Sequence, residues 1–115
     1  MIPATYNMSY YSGDTLTFFI APKDQSGNAV EMDGATPSFV IADARGDSPS
    51  FSLVADAALS DDDTTIKCTI SAVDGATLTG GQTYVYDIDV EFTESSTRYT
   101  YLTGNITVIA DVVPL

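Results

Sequence analysis

The clearest indication of the fold class is the segment Gln82-Thr83-Tyr84-Val85-Tyr86-Asp87-Ile88-Asp89-Val90-Glu91-Phe92. A large apolar residue occupies every second position, and most positions in between are polar or acidic. Alternate side chains of a β-strand point to opposite faces, so this period of two predicts a strand with one core face and one acidic face. No segment of the chain sustains helical spacing for more than a turn or two. The pattern therefore predicts an all-β protein.

The next segment repeats the alternation and predicts the second strand of a hairpin. Its core face carries Leu102, Gly104, Ile106 and Val108, and its outer face carries Tyr99, Tyr101, Thr103 and Asn105. Because core side chains must face core side chains, we expect Ile88 to lie opposite Leu102 and Val90 opposite Thr100. That register requires a connecting loop with an odd number of residues, which we place at 93–97.

The same register sets Asp89 beside Tyr101 and Glu91 beside Tyr99 on the outer face. Tyrosine buries a large ring while keeping a hydroxyl that can hydrogen-bond, and it is enriched at binding surfaces. We therefore predict an interface of tyrosines and carboxylates. Its members are Tyr6, Tyr10, Tyr99, Tyr101, Asp89 and Glu91. An ordinary solvated strand face is the alternative.

Other alternating segments, separated by turn residues, bring the predicted total to about seven strands. They run near 15–20, 38–41, 50–54 and 64–71; a turn-rich stretch leads to 29–32, and 72–78 is expected to hold one helical turn. This spacing predicts an immunoglobulin-like antiparallel β-sandwich, with a small closed barrel as the alternative. We expect a single domain over 1–115 with a short N-terminal arm at about 1–8. The Cys-Trp-Cys core of antibody domains is absent, because the chain has no tryptophan and one cysteine.

Composition and charge narrow the range of partners. The 115 residues include sixteen acidic and four basic residues, for a formal net charge of -12. Such a chain is repelled by phosphate backbones and anionic lipids, so we expect neither nucleic acid nor membrane as a partner. Residues 1–6 resemble no signal peptide, and we expect folding in the cytoplasm. Cys68 shares a strand face with Ile66 and Ile70 and is predicted to be buried.

The composition provides few of the side chains that enzymes use for catalysis. The sequence contains no histidine, which removes the commonest general base and the commonest metal ligand. The carboxylates lie in predicted loops and on an outward strand face rather than in a sugar-binding cleft. No glycine-rich phosphate loop with a lysine follows a predicted strand. We therefore expect no enzymatic activity and no cofactor.

Two loops carry patterns that are known from binding sites. Asp61, Asp62 and Asp63 supply oxygen ligands of the kind calcium prefers, although a charged loop that keeps strand edges apart is the simpler interpretation. Arg45-Gly46-Asp47 matches the integrin-binding loop of fibronectin, but all three are ordinary turn residues. We expect no metal, and we attribute the second motif to turn formation.

The order of several motifs is more informative than any one of them. They are Tyr10-Tyr11-Ser12-Gly13-Asp14-Thr15-Leu16-Thr17-Phe18, Lys23-Asp24-Gln25-Ser26-Gly27-Asn28-Ala29-Val30, Met32-Asp33-Gly34, Leu78-Thr79-Gly80-Gly81-Gln82-Thr83-Tyr84-Val85-Tyr86-Asp87-Ile88 and Gly104-Asn105-Ile106-Thr107-Val108. Together they resemble small tailed-bacteriophage virion proteins, and the pattern is similar to the N-terminal immunoglobulin-like domain of phage baseplate upper proteins. The resemblance implies a passive building block without catalytic residues. Residues 42–63 depart from the pattern.

We therefore expect a non-enzymatic virion structural protein that is assembled in the host cytoplasm. The favoured role is a head decoration or cement protein, present in many copies on the lattice of the major capsid protein, with the N-terminal arm gripping a neighbour. A tail or baseplate adaptor is the first alternative. A host-facing module is the second, using either Arg45 to Asp47 for adhesion or Tyr99 and Tyr101 for glycan binding.

Overall fold

The computed structural model describes residues 3–46, 48–110 and 112. Within them lie eight strands and one short helix. The strands are β1 (Ala4–Thr5), β2 (Met8–Tyr11), β3 (Leu16–Ile20), β4 (Thr36–Ala42), β5 (Ser52–Leu59), β6 (Ile66–Ile70), β7 (Thr83–Phe92) and β8 (Thr97–Ile109), and α1 (Ala72–Gly75) lies between β6 and β7. The all-β prediction is confirmed.

The strands form one curled, mixed sheet. Its order is β1-β8-β7-β4-β5-β6-β3, and β2 also pairs with β8. β1 and β2 run parallel to β8, whereas the other pairs are antiparallel. Strand β5 changes partner midway, because Ala55 pairs with Phe39 on β4 and Asp56 pairs with Thr69 on β6. This change lets the sheet fold over a common core.

The core lies where the two halves of the curled sheet meet. Its buried members on β7 are Tyr84, Tyr86, Ile88 and Val90, as the alternation predicted, and those on β8 are Ile106 and Val108. Phe39 on β4 is fully buried, with its ring centroid 5.6 Å from that of Phe18 and 5.8 Å from that of Tyr86, both edge to face. Cys68 is buried, as predicted.

Of two connecting segments, one lacks regular secondary structure and the other forms a helical turn. Residues 29–32 form no strand beyond an isolated bridge between Lys23 and Ala29, although Met32 is fully buried. The predicted helical turn is confirmed as α1. The hydroxyl of Ser71 caps it by accepting a hydrogen bond from the Asp74 N–H at 3.1 Å.

Residues 3–8 do not form the predicted free arm. They lie along β8, where the Tyr6 N–H donates to the Thr103 carbonyl at 2.9 Å and the Tyr86 hydroxyl donates to the Tyr6 carbonyl at 2.6 Å. Gly104 allows this approach, since a Cβ at that position would lie 2.0 Å from the Tyr6 carbonyl oxygen. The arm prediction is therefore wrong for these residues. Met1 and Ile2 lie outside the described residues.

Buried tyrosine and cysteine side chains make stability sensitive to alkaline pH. Burial raises the pKa of the Tyr86 phenol to about 12 and that of the Cys68 thiol to about 12. In the unfolded chain these groups ionise near 10.0 and 9.0. Stability is therefore fully present below the unfolded values and is lost as pH rises toward 12, because the unfolded state releases its protons first.

We expect the urea midpoint to fall when the pH is raised from 8 to 11. Circular dichroism at a series of pH values measures it. Tyr86→Phe should make this dependence shallower, because the Cys68 thiol then remains as a contributor. A midpoint that stays constant up to pH 11 would contradict this account.

Candidate functional site

The first candidate site is the outer face, which we define as the outward side chains of β4, β5, β7 and β8. Strand β7 presents Asp87, Asp89 and Glu91 there, because alternate residues of the strand point away from the core. Their neighbours on β4 are small, with Val40 opposite Asp87 and Ser38 opposite Asp89. The face therefore carries a line of carboxylates beside small side chains.

An apolar centre lies beside that line. Val54 on β5 pairs with Val40 and is 72% exposed. Between this part of the sheet and the loop that follows β4 lies a hollow of ≈ 220 Å³, whose lining includes Val40, Ala42, Val85 and Asp87. An apolar centre with charged surroundings is the arrangement found at protein–protein interfaces.

Arg45 fastens the loop after β4 to the outer face. Its Nη1 donates to Asp87 Oδ1 at 2.8 Å, and its Nη2 donates to Thr103 Oγ1 at 2.7 Å. The Thr103 hydroxyl in turn donates to Asp87 Oδ1 at 2.6 Å. The ion pair is close to half exposed on both sides, so water screens it and its contribution to stability is below about 1 kcal/mol. Its main effect is to position the loop.

A β-bulge alters the predicted register of the β7–β8 hairpin. Ile88 lies opposite Leu102 as predicted, but the register shifts between Ile88 and Asp89. Val90 therefore faces Tyr99 rather than Thr100. The connecting turn has four residues, 93–96, which is an even number, and the bulge absorbs the residue that restores the alternation.

The predicted pairs of tyrosines and carboxylates are consequently wrong. Asp89 lies opposite Thr100, whose hydroxyl donates to Asp89 Oδ1 at 2.9 Å, and Glu91 lies opposite Arg98. Across the hairpin, the carboxylates of the outer face thus lie opposite a threonine and an arginine. Sequence reasoning missed Arg98, because only the bulge places it opposite Glu91.

The two tyrosines of β8 form an aromatic group near the end of the core. Tyr101 packs half-buried against the core, and burial raises the pKa of its phenol. Tyr99 is 40% exposed, with its ring centroid 6.0 Å from that of Phe92 and 6.2 Å from that of Tyr101. Tyr99 remains available for binding, whereas Tyr101 is largely a packing residue.

The two N-terminal tyrosines of the predicted interface differ in exposure. Tyr6 is 58% exposed, whereas Tyr10 is only 3% exposed. The Tyr10 hydroxyl donates to the Asp14 carbonyl, and a Cβ at Gly75 would lie 1.7 Å from that hydroxyl oxygen. Tyr10 is a core residue that seats α1, so its assignment to the interface is wrong.

The acidic loop organises its own turn. Asp62 Oδ1 accepts hydrogen bonds from the Ser60 hydroxyl at 2.6 Å and the Thr64 hydroxyl at 2.9 Å, and these bonds lower the pKa of Asp62. Asp63 adopts a φ of 59°, and its carbonyl accepts from the Met32 N–H. Asp61 is exposed. Across the part of the chain that the structure describes, no three acidic, cysteine or histidine side chains are grouped so that they could hold a metal ion.

The Arg-Gly-Asp segment is described only in part. The guanidinium of Arg45 is held by Asp87 and Thr103, so it is not freely displayed. Gly46 is exposed and has a φ of 111°. Asp47 lies outside the described residues.

The second candidate site is a groove between β2 and β3, which we call the seam. It has a volume of ≈ 460 Å³ and is lined by Tyr6, Met8, Ser9, Leu16, Phe18, Phe19, Ile20 and Leu102. The inward side chains of β3 border it and are only half-buried. Sequence reasoning missed the seam, because alternation along one strand does not show which strands lack a neighbour.

Within residues 3–46, 48–110 and 112, no helix has the length and hydrophobicity needed to span a membrane. No protein-family model matches the chain, and no curated protein matches its sequence. The outer face and the seam are therefore interpreted from their own chemistry.

Proposed function

We propose that the chain is a non-enzymatic structural module of a tailed-bacteriophage particle, built as an immunoglobulin-like sandwich, which decorates the head by docking on the capsid lattice. The docking surface is the outer face. Three features support the fold, one observation carries the docking role, and the order of motifs resembles that of phage virion proteins.

The path of β5 supports a two-sheet sandwich. Its first half continues the β8–β7–β4 half of the sheet, and its second half pairs with β6 beside β3. Greek-key sandwiches of the immunoglobulin type place corresponding strands on two facing sheets. The parallel pairing of β2 with β8 adds the N-terminal strand to one of these sheets.

Tyr84 supports the same assignment. It stands near the start of β7, and its hydroxyl accepts a hydrogen bond from the Thr79 N–H at 2.9 Å. In immunoglobulin-like domains, a tyrosine near the start of the sixth strand forms a hydrogen bond with the backbone a few residues upstream, an arrangement called the tyrosine corner. Strand β7 is the sixth strand when β1 and β2, which both pair with β8, are counted as one.

The aromatic centre of the core occupies corresponding positions. In antibody domains a tryptophan on the third strand packs on a disulfide, whose second cysteine follows the corner tyrosine by two residues. Here Phe39 packs between Phe18 and Tyr86, and Tyr86 follows Tyr84 by two residues. Three rings thus replace the tryptophan and the disulfide, which accounts for the missing Cys-Trp-Cys signature.

The observation that carries the docking role is the composition of the outer face. Val40 and Val54 form an apolar centre, and Asp87, Asp89 and Glu91 line one side. Surfaces of this kind lose water from an apolar centre on contact, while the charged residues select a partner of opposite charge. Asp87 is already paired with Arg45, so basic side chains of a capsid surface would be met mainly by Asp89 and Glu91.

The first test is quantitative mass spectrometry of particles purified from the phage that encodes the chain. A ratio to the major capsid protein near a simple fraction is the expected result. Only a few copies per particle would instead favour a tail or baseplate adaptor. Absence from the particle would overturn the proposal.

The outer face is tested with Val54→Arg. The substitution puts a charge into the exposed apolar centre, and we expect the affinity for the head to fall about tenfold or more, as for the loss of an interface hot spot, and the copy number per particle to fall with it. Val73→Arg on α1 is the matched control, because Val73 is 77% exposed and lies away from the outer face. Equal copy numbers for both variants would exclude the outer face as the docking surface.

A further inference from the structure

The seam is a place where the core lacks a covering strand. Inward side chains at Phe39, Cys68 and Ile88 are fully buried, whereas those at Leu16, Phe18 and Ile20 on β3 are only partly buried. Among the described residues, β3 pairs with β6 alone and β2 with β8 alone. Their other edges border the seam, and no strand lies between them.

The free edge of β3 has none of the features that usually prevent edge pairing. Natural edge strands carry charges, prolines or bulges that block the approach of another strand. The residues of β3 are Leu16-Thr17-Phe18-Phe19-Ile20, and their register with β6 is regular throughout. Phe19 on the outer side is 65% exposed. Such an edge is open to an added strand.

The distribution of charge identifies the side on which a second copy meets least repulsion. None of the sixteen acidic residues lies on β2, β3 or β6. The only charged residue on these strands is Lys67, opposite Phe19. For a chain with a net charge of -12, this neutral to basic side allows an equally acidic copy to approach.

The sequence of β3 also complements itself when two copies run antiparallel. With Phe18 on the twofold axis, Leu16 lies opposite Ile20 and Thr17 lies opposite Phe19 of the second copy. The two Phe18 rings then share the inner side, while the two Phe19 rings are diagonal neighbours about 7–8 Å apart, within reach of aromatic side chains.

We propose that the seam is a self-association site, at which β3 of one chain pairs antiparallel with β3 of a second copy to form a twofold dimer. The joined strands continue the β5–β6–β3 part of the sheet from one chain into the other. The inward side chains of each β3 lose their exposure to water, and the free edge disappears. The dimer needs no phage component, so its failure would leave docking through the outer face untouched.

Sedimentation equilibrium of the full chain tests the dimer at protein concentrations from about 1 µM to about 1 mM, the range of weak interfaces. We expect the mass to rise from the 12.2 kDa of one chain toward twice that value. Association should tighten when NaCl is raised from 20 mM to 300 mM, because salt screens the repulsion between two acidic chains. A mass of 12.2 kDa throughout, at both salt concentrations, would overturn the proposal.

Thr17→Lys locates the interface. The dimer carries the lysine twice on the joined edges, where a lysine opposes the approach of another strand, and we expect the dissociation constant to rise about tenfold. Thr107→Lys makes the same change of charge at an exposed threonine of β8 and should leave the constant unchanged. Thermal unfolding confirms that both variants are folded.

Two results would count against the β3 interface even if a dimer forms. Equal weakening by Thr17→Lys and Thr107→Lys would show that charge, and not the edge of β3, controls association. Amide exchange of β3 provides the second readout. Protection of the β3 amides that arises only in assembled particles would mean that a strand of another protein occupies the seam.

Discussion

Phe39→Ala is expected to lower the free energy of unfolding by about 3–5 kcal/mol. Phe39 is fully buried on β4, and its ring packs edge to face against Phe18 from one half of the sheet and Tyr86 from the other. Truncation removes the contact that joins the two halves and leaves a cavity. Domains of this size are stable by roughly 5–15 kcal/mol, so this loss is a large fraction of the total.

The matched control is Phe19→Ala, which removes the same atoms from a ring that is 65% exposed on β3. We expect a loss of about 0.5 kcal/mol or less, as is usual for surface positions. Urea unfolding followed by circular dichroism compares the variants at low micromolar concentration, where association through the seam does not contribute. Similar losses for both variants would show that Phe39 is not the centre of the core.

The alternation in 82–92 was sufficient to predict β7, because period two is a local property of a strand. The buried set Tyr84, Tyr86, Ile88 and Val90 follows from it directly. The pairing of Ile88 with Leu102 also followed, since core must face core. These predictions depend on nearest neighbours along the chain, and they are confirmed.

The predicted pairing of tyrosines with carboxylates failed at the bulge, and the reason is physical. Parity links register to loop length only while a hairpin is regular. On β8, the residue between Thr100 and Leu102 has no partner on β7, which reverses the parity. Val90 therefore faces Tyr99, and the predicted neighbours of Asp89 and Glu91 change. No residue type in this segment predicts the bulge.

Contacts between distant parts of the chain were beyond sequence reasoning for a different reason. The Arg45 guanidinium reaches Asp87 and Thr103, which are 42 and 58 residues away. The docking of residues 3–8 on β8 and the openness of the seam depend likewise on which elements meet in space. Alternation predicts the face on which a residue lies, whereas the curl of the sheet decides what covers that face.

Gly104→Ala is expected to destabilise the fold by about 2–4 kcal/mol, combining the cost of overpacking with the loss of hydrogen bonds. A Cβ at this position would lie 2.0 Å from the Tyr6 carbonyl oxygen and 2.7 Å from its carbonyl carbon. Both are backbone atoms, which no rotamer change can move aside. Residues 3–8 must therefore retreat from β8.

The direction of the stability change in Gly104→Ala shows whether the N-terminal backbone lies close to Gly104. Gly104 does not have a positive φ, so without the collision alanine would stabilise the strand by roughly 0.5–1 kcal/mol. Gly34→Ala is the control, because Gly34 has a φ of 73° and no neighbour within 4 Å of the added Cβ, so it bears only the cost of the left-handed backbone.

Amide hydrogen exchange adds a local readout to the unfolding measurement. In Gly104→Ala the N–H groups of Tyr6 and Asn105 should lose protection, because the first donates to the Thr103 carbonyl and the second to Asn7 Oδ1. In Gly34→Ala both should remain protected. A Gly104→Ala variant as stable as the parent, with these two amides still protected, would show that the N-terminal segment does not lie against β8, and the chain would then have the free arm that its sequence predicted.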